Sequence, residues 1–246
     1  SKDTPLQAIK KVGVIGAGTM GGGISMNFAN VGIPVKILEM DQAALDKGLG
    51  IVKKNYEASA WKGRISSEDV DVRMGLIEGT TNYSDLKDVD LVIEAVFENM
   101  DVKKEVFSKL NETVSENTIL ASNTSYLDID EIATVVDNPE RVLGMHFFSP
   151  ANIMRLLEII KAEKTSPAIL ATVLKLAKSI KKVGAVAGVC HGFIGNRMLT
   201  GYSREANLLV LEGAPPEQVD RVLYEFGMPM GAVSYTHLRA HETEAD

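Results

Sequence analysis

The stretch Gly16-Ala17-Gly18-Thr19-Met20-Gly21 constrains this chain more than any other. The run Lys11-Val12-Gly13-Val14-Ile15 just before it reads as a short buried strand. From about Met20 to Asn30 the sequence reads as a helix with Ile24 and Phe28 on one face. Glycines spaced G-x-G-x-x-G between a strand and a helix serve three ends. The first permits a tight turn, the second lets backbone approach a pyrophosphate, and the third lets the helix pack on the strand. The helix N-terminus then offers unpaired N–H groups to the phosphates. A second strand, residues 34–39, ends on Glu39, 23 positions after Gly16. A carboxylate there can accept from both ribose hydroxyls and repels a ribose phosphate, so the pattern favours NAD over NADP. The alternative is a glycine-rich turn that holds no ligand.

The rest of the chain extends the same plan. Asp41 is suited to N-cap a long helix running to about Ala60, Ser66 or Ser67 opens another helix, and Gly79 closes this helical excursion near residues 41–78. Strands are expected at 90–96 and 118–121, with a helix from about Asp101 to Val114 between them and a short helix after Asp128. Two apolar runs around His146 and Glu158 follow, then a helix from Pro167 to Lys182 and a last strand over 183–187. Strands alternating with helices at this spacing imply parallel pairing, giving an α/β chain with a Rossmann-type doubly wound, mostly parallel sheet. After His191 the pattern is helical only, with one helix from Gly192 to Glu212 and another from Pro215-Pro216 through Phe226. The expected domains are a dinucleotide-binding domain over 1–190 and the start of an all-α C-terminal domain over 191–233.

Composition narrows the function classes. The chain has 246 residues, 45% hydrophobic and 24% charged, as in ordinary globular proteins. A net charge of -7 argues against a nucleic-acid surface. No apolar stretch approaches a membrane span, and no signal peptide opens the chain. Cys190 stands alone, which rules out an internal disulfide framework and suits a reducing compartment. The chain opens on Ser1 rather than Met, so its natural start is expected to lie upstream.

Several residues outside the glycine loop have chemical potential. His146 ends the run Val142-Leu143-Gly144-Met145, and Glu158 lies inside Leu156-Leu157-Glu158-Ile159-Ile160. An imidazole and a carboxylate that meet can act as a base and its orienting acid near neutral pH. Taken as an isolated pair, they read more readily as a satisfied core histidine and an unrelated edge glutamate, and the rest of the chain reverses that preference. Val96-Phe97-Glu98 ends a strand and should face the dinucleotide, because ligands sit at the carboxyl ends of parallel strands. Lys103, on the first turn of the next helix, reads by pattern alone as a solvated helix lysine. Ser122-Asn123-Thr124-Ser125 is either a capping turn, with Ser125 as the cap, or a substrate-facing loop. Asn196 is either a donor and acceptor at a domain boundary or simply a helix-start asparagine.

Together the stretches GAGTMGGGI, EAVFENMDVKKEVF, ASNTS, RVLGMHFFSPANIMRLLEI and GFIGNRM resemble the L-3-hydroxyacyl-CoA dehydrogenases. The wording is nearest to the dehydrogenase part of the multifunctional fatty-acid β-oxidation enzymes, and the resemblance covers about residues 9–231. It implies NAD as cofactor and an acyl-CoA as substrate. Gly16, Gly18, Met20 and Gly21 would hold the pyrophosphate and Glu39 the adenosine ribose. Val96, Phe97, Glu98 and Lys103 would lie along the cofactor. His146 would be the general base, oriented by Glu158, and Ser125 and Asn196 would bind the substrate oxygen and its neighbours. Ser125 would also meet the cofactor, as would Ser149 at a position often held by asparagine in the family. The resemblance also implies a dimeric full-length form or membership of a multifunctional complex. A bacterial-type chain is expected in the cytoplasm, and a eukaryotic one in peroxisomes or mitochondria. Lys53, Lys54, Lys62 and Arg64 lie where the helical excursion of this family meets coenzyme A, although such a cluster more often forms a solvated helix face.

The resemblance ends near Gly231. Residues 234–246 read as a non-native tail, so the helical domain is expected to be truncated, and His237 and His241 are not read as metal ligands. Apolar faces on Leu208, Leu209, Leu211, Val222 and Leu223 are then expected to stay partly exposed. Two other functional readings stand beside the dehydrogenase. One is a fragment that binds NAD without turnover, and the other is a related NAD-dependent dehydrogenase acting on a free hydroxy acid.

Overall fold

A computed structural model describes residues 4–232, so the tail reading lies outside the described residues. The strands are β1 (Val12–Ile15), β2 (Val35–Leu38), β3 (Ile77–Thr80), β4 (Leu91–Glu94), β5 (Ile119–Ser122), β6 (Val142–Phe147), β7 (Leu156–Lys161) and β8 (Val183–Gly188). They form a single sheet in the order β3-β2-β1-β4-β5-β6-β7-β8. The helices are α1 (Thr19–Ala29), α2 (Gln42–Trp61), α3 (Ser67–Met74), α4 (Met100–Thr113), α5 (Ile129–Ala133), α6 (Pro167–Ser179), α7 (Gly195–Leu211) and α8 (Pro216–Phe226). The chain divides into two compact units after Phe193.

Local chemistry sets the element ends. Asp41 caps α2 through the Ala44 amide at 2.8 Å, and Ser66 and Asp69 form a reciprocal capping box on α3. Strand residues alternate between the two faces of the sheet. Leu91, Ile93, Leu143 and Met145 pack with Ile24 and Phe28 of α1, while Val92, Leu120 and Val142 pack with Phe107 of α4 and Ile132 of α5. The central strands are therefore buried on both faces, as a doubly wound fold requires.

Four details depart from the sequence reading. Gly79 does not close a helical region but sits inside β3, a strand that was not anticipated. Ile-Glu-Gly-Thr carries a weak strand signal, and the strand forms by backbone pairing with β2. Glycine suits this position because an added Cβ would lie 3.0 Å from a Leu49 methyl. Second, β7 runs antiparallel to β6, the exception in an otherwise parallel sheet. The link over residues 148–155 is too short to make a parallel crossover. Third, α6 ends at Ser179 and α7 starts at Gly195, the latter because Gly192 (φ 71) and Phe193 (φ 46) leave helical geometry. Fourth, Ser125 is not a helix cap: Asp128 caps α5, accepting from the Asp130 and Glu131 amides at 2.8 and 3.2 Å.

Candidate active site

The parallel strands β2, β1, β4, β5 and β6 all end on one edge of the sheet. Glu39, the glycine loop, Val96–Glu98, Ser125, His146 and Ser149 follow or finish those strands in turn. The order reverses between β1 and β4, which is where doubly wound sheets open a crevice for ligand.

The three glycines of the loop meet three different demands. Gly16 has φ 98, and a Cβ there would stand 2.7 Å from the Ala95 carbonyl oxygen. A Cβ on Gly21 would lie 1.9 Å from the Gly16 carbonyl oxygen, so only glycine lets α1 approach the turn. A Cβ on Gly18 would meet nothing within 4 Å, so that glycine leaves open the space a pyrophosphate needs. No side chain caps the start of α1, which keeps its first-turn amides available to an anion. Glu39 is anchored beside the loop, accepting from the Ala17 amide at 3.1 Å and the Met40 amide at 2.8 Å. Each carboxylate oxygen retains a lone pair for a further donor. The loop, the open helix end and the anchored acid fit a dinucleotide.

His146 and Glu158 are cross-strand partners in the antiparallel β6–β7 ladder. Directly opposed residues point to the same face, and the His146 Nδ1 stands 2.7 Å from Glu158 Oε2. Both side chains are buried, and the imidazole is flanked by Phe148 at 4.4 Å and Phe193 at 5.8 Å between ring centroids. An ionised carboxylate only accepts, so Nδ1 is the donor of this contact, and the neutral imidazole of that tautomer presents its lone pair on Nε2.

A second buried network joins the loops after β4 and β5. Lys103 is only 1% exposed and is not the solvated lysine its helical position suggests. Its ammonium lies 2.7 Å from Glu94 Oε1, 3.4 Å from Glu98 Oε2 and 3.4 Å from the Val96 carbonyl oxygen. Glu94 also accepts from Ser122 Oγ at 2.6 Å and from the Val96 amide at 2.8 Å. Glu98 accepts from the Thr124 hydroxyl and from the Ser125 and Tyr126 amides at 2.9 and 3.1 Å. Asn123 ties the ends of β4 and β6, donating its amide to the Glu94 carbonyl and accepting from the Phe147 amide, both at 2.8 Å. Phe97 is largely exposed on the same edge.

Sequence reasoning passed over Glu94 and Gly48, and gave Asn123 no role of its own within its loop. The first had a usable signal, a lone acid in an apolar strand run like that of Glu158. Gly48 had none: a Cβ on it would meet the Ala17 carbonyl oxygen at 2.1 Å, a contact made only when α2 folds onto the loop. Asn196 lies on the first turn of α7, in the second unit. Lys53, Lys54, Lys62 and Arg64 are exposed on and just after α2, with Lys53 3.9 Å from Glu57. Among the described residues no helix is long and apolar enough to cross a membrane.

Comparison with known proteins supplies the family. The family described as "3-hydroxyacyl-CoA dehydrogenase, NAD binding domain" matches residues 11–190, and its C-terminal domain matches residues 192–246. The chain is 45% identical over 231 residues to the peroxisomal bifunctional enzyme of Cavia porcellus, covering 94% of this chain and 32% of that protein. It is 42% identical over 223 residues to the peroxisomal fatty acid beta-oxidation multifunctional protein MFP2 of Arabidopsis thaliana, covering 91% and 31% respectively. The chain thus spans about a third of the length of these curated relatives. The solved (S)-3-hydroxybutyryl-CoA dehydrogenase PaaH1 of Ralstonia eutropha is similar with a TM-score of 0.89 at 36% identity, over 92% of this chain and 80% of that one. A glycine loop at the strand-order reversal, an anchored acid beside it and a buried His–Glu pair on the same sheet therefore sit in a chain that belongs to the 3-hydroxyacyl-CoA dehydrogenase family.

Proposed function

We propose that this chain oxidises an L-3-hydroxyacyl-CoA to the 3-oxoacyl-CoA with NAD, as a step of fatty-acid β-oxidation. The observation that carries this reading is the buried His146–Glu158 pair on the sheet whose carboxyl edge bears the glycine loop. Gly16, Gly18, Met20 and Gly21 hold the pyrophosphate, and Glu39 the adenosine ribose. Val96, Phe97, Glu98, Lys103, Ser125 and Ser149 line the cofactor, and Lys103 also holds Glu98 at 3.4 Å. Bound there, NAD supplies an acceptor for the hydride on C3. His146 Nε2 takes the proton of the 3-hydroxyl, and the imidazolium that forms is stabilised by Glu158 across the 2.7 Å contact. Ser125 binds the substrate oxygen, and Asn196 is assigned to substrate binding because its stretch resembles the family's. In this reading the full polypeptide is dimeric or part of a multifunctional complex, and the names of the relatives, bifunctional and multifunctional, support the second. Its setting is the peroxisome, as for those relatives, or the mitochondrion in a eukaryote, and the cytoplasm in a bacterium.

The test is NADH consumption with acetoacetyl-CoA, with free acetoacetate as the control. His146→Ala and Glu158→Gln should each lower turnover by about 10²–10⁴-fold while NADH affinity stays near that of the parent chain. Near-normal turnover in either variant would falsify the assignment. Equal rates with acetoacetate would move the substrate class to free hydroxy acids.

A further inference from the structure

Lys182 lies in the turn between α6 and β8 and takes no part in the chemistry above. It is 7% exposed, yet its Nζ donates to two main-chain carbonyls, those of Ala151 and Met154, each at 2.6 Å. The ammonium also stands 6.0 Å from the centre of the Phe147 ring, next to His146 on β6. Taking a lysine out of water is unfavourable unless its charge is well coordinated. Here burial pushes its pKa down to about 8. The neutral amine still has two N–H groups for two carbonyls, so the contact survives in either protonation state.

Both carbonyls belong to residues 148–155, the segment that leaves the His146 strand and carries Ser149. On its other side the segment meets the dinucleotide helix. Asn27 of α1 donates through Nδ2 to the same Ala151 carbonyl at 3.0 Å and to the Gly23 carbonyl at 2.9 Å. The fit there is close, since a Cβ on Gly23 would lie 3.1 Å from the Ala151 Cβ and 3.3 Å from the Asn152 amide nitrogen.

We propose that Lys182 is a positioning residue, which gathers the Ala151 and Met154 carbonyls and, with Asn27, fixes the His146-strand exit against the cofactor helix. It thereby sets where Ser149 stands relative to the bound dinucleotide. This inference rests on the dehydrogenase reading for its functional consequence, but its structural half can be measured without cofactor.

The variants are Lys182→Met, Lys182→Arg and Asn27→Ala. One lost hydrogen bond to a charged group corresponds to about tenfold in affinity. Lys182→Met should therefore weaken NADH binding, read by fluorescence titration, and raise KM for NAD by about that factor, with KM for acetoacetyl-CoA little changed. Lys182→Arg should recover most of the loss, because a guanidinium offers two N–H groups to two acceptors. Asn27→Ala should move NADH affinity in the same direction, and the double variant should fall short of the product of the two effects, since both donors act on one carbonyl. Amide exchange gives the cofactor-free readout. The Ile153 and Met154 amides, each bonded to the Pro150 carbonyl at 2.9 Å, should exchange faster in the Lys182→Met and Asn27→Ala variants. Unchanged NADH affinity and unchanged exchange would overturn the proposal. So would a drop in melting temperature without faster exchange at those two amides, which would show packing alone. If Lys182→Met does not fold, Asn27→Ala carries the test on the same carbonyl. A parent chain that binds no NADH would overturn the dehydrogenase reading, and the exchange rates would then decide the positioning claim by themselves.

Discussion

Glu94 and Lys103 show how much of this site depends on charges withdrawn from water. Both are essentially unexposed, and they meet at 2.7 Å with further donors from Ser122 and Val96. Removing one member of a buried pair strands the other, which typically destabilises by about 3–5 kcal/mol. Lys103→Met should show a loss of that size in urea unfolding, and the double variant Lys103→Met with Glu94→Gln should recover part of it. Additive losses would mean that the two groups are not coupled. Lys182 makes a different demand. Its pKa is pushed from 10.5 to about 8 by burial. Between those values the unfolded chain binds this proton and the folded chain does not, so stability contributed by this group rises with pH across that window. Unfolding free energies measured from pH 8 to 10.5 should show a steeper rise for the parent chain than for Lys182→Met. Parallel curves would refute the burial argument.

At the scale of elements, the turn between β1 and α1 separates folding from binding. Gly16→Ala forces a side chain into φ 98 against Ala95, and Gly21→Ala drives one into the Gly16 carbonyl. Each should destabilise by at least about 1–3 kcal/mol. Gly18→Ala meets no neighbour and should cost at most about 1 kcal/mol, that of an alanine at an N-cap. It should nevertheless weaken NADH binding strongly, because the methyl enters the space assigned to the pyrophosphate. Thermal unfolding beside NADH titration separates the three variants. A Gly18→Ala chain that bound NADH normally would remove the loop from the cofactor site. The antiparallel β6–β7 pair is the other decisive element. It sets Glu158 opposite His146, and a slip of one residue would turn the carboxylate to the other face.

Across the whole molecule, the residues assigned to cofactor and proton chemistry gather on the carboxyl edge of one sheet, while around α7 and α8 the buried apolar core among the described residues is Ala206, Val219 and Ala232. Leu211 and Phe226 are 82% and 85% exposed, and Leu208, Leu209 and Val222 are exposed as well, while Leu223 is half-buried. Exposed apolar side chains of this kind bind apolar dyes and favour association. Leu211→Gln with Phe226→Gln should lower dye binding and reduce concentration-dependent association in light scattering, with the first unit's NADH affinity unchanged. Dye binding equal to the parent's would show that these two side chains are not part of the sticky surface.

The sequence alone determined the order of most elements, the glycine loop and its anchoring acid, because those features are local. Periodicity, caps and glycine spacing act over a few residues and are written in the chain. It also offered His146 and Glu158 as candidates without deciding that they meet. Only the tertiary structure decided that β7 turns antiparallel, that Ile77–Thr80 becomes a strand, and that Lys103 and Lys182 are buried. These outcomes depend on contacts between residues distant in sequence, where a weak strand signal or a charged side chain is overruled by the partner that folding brings to it.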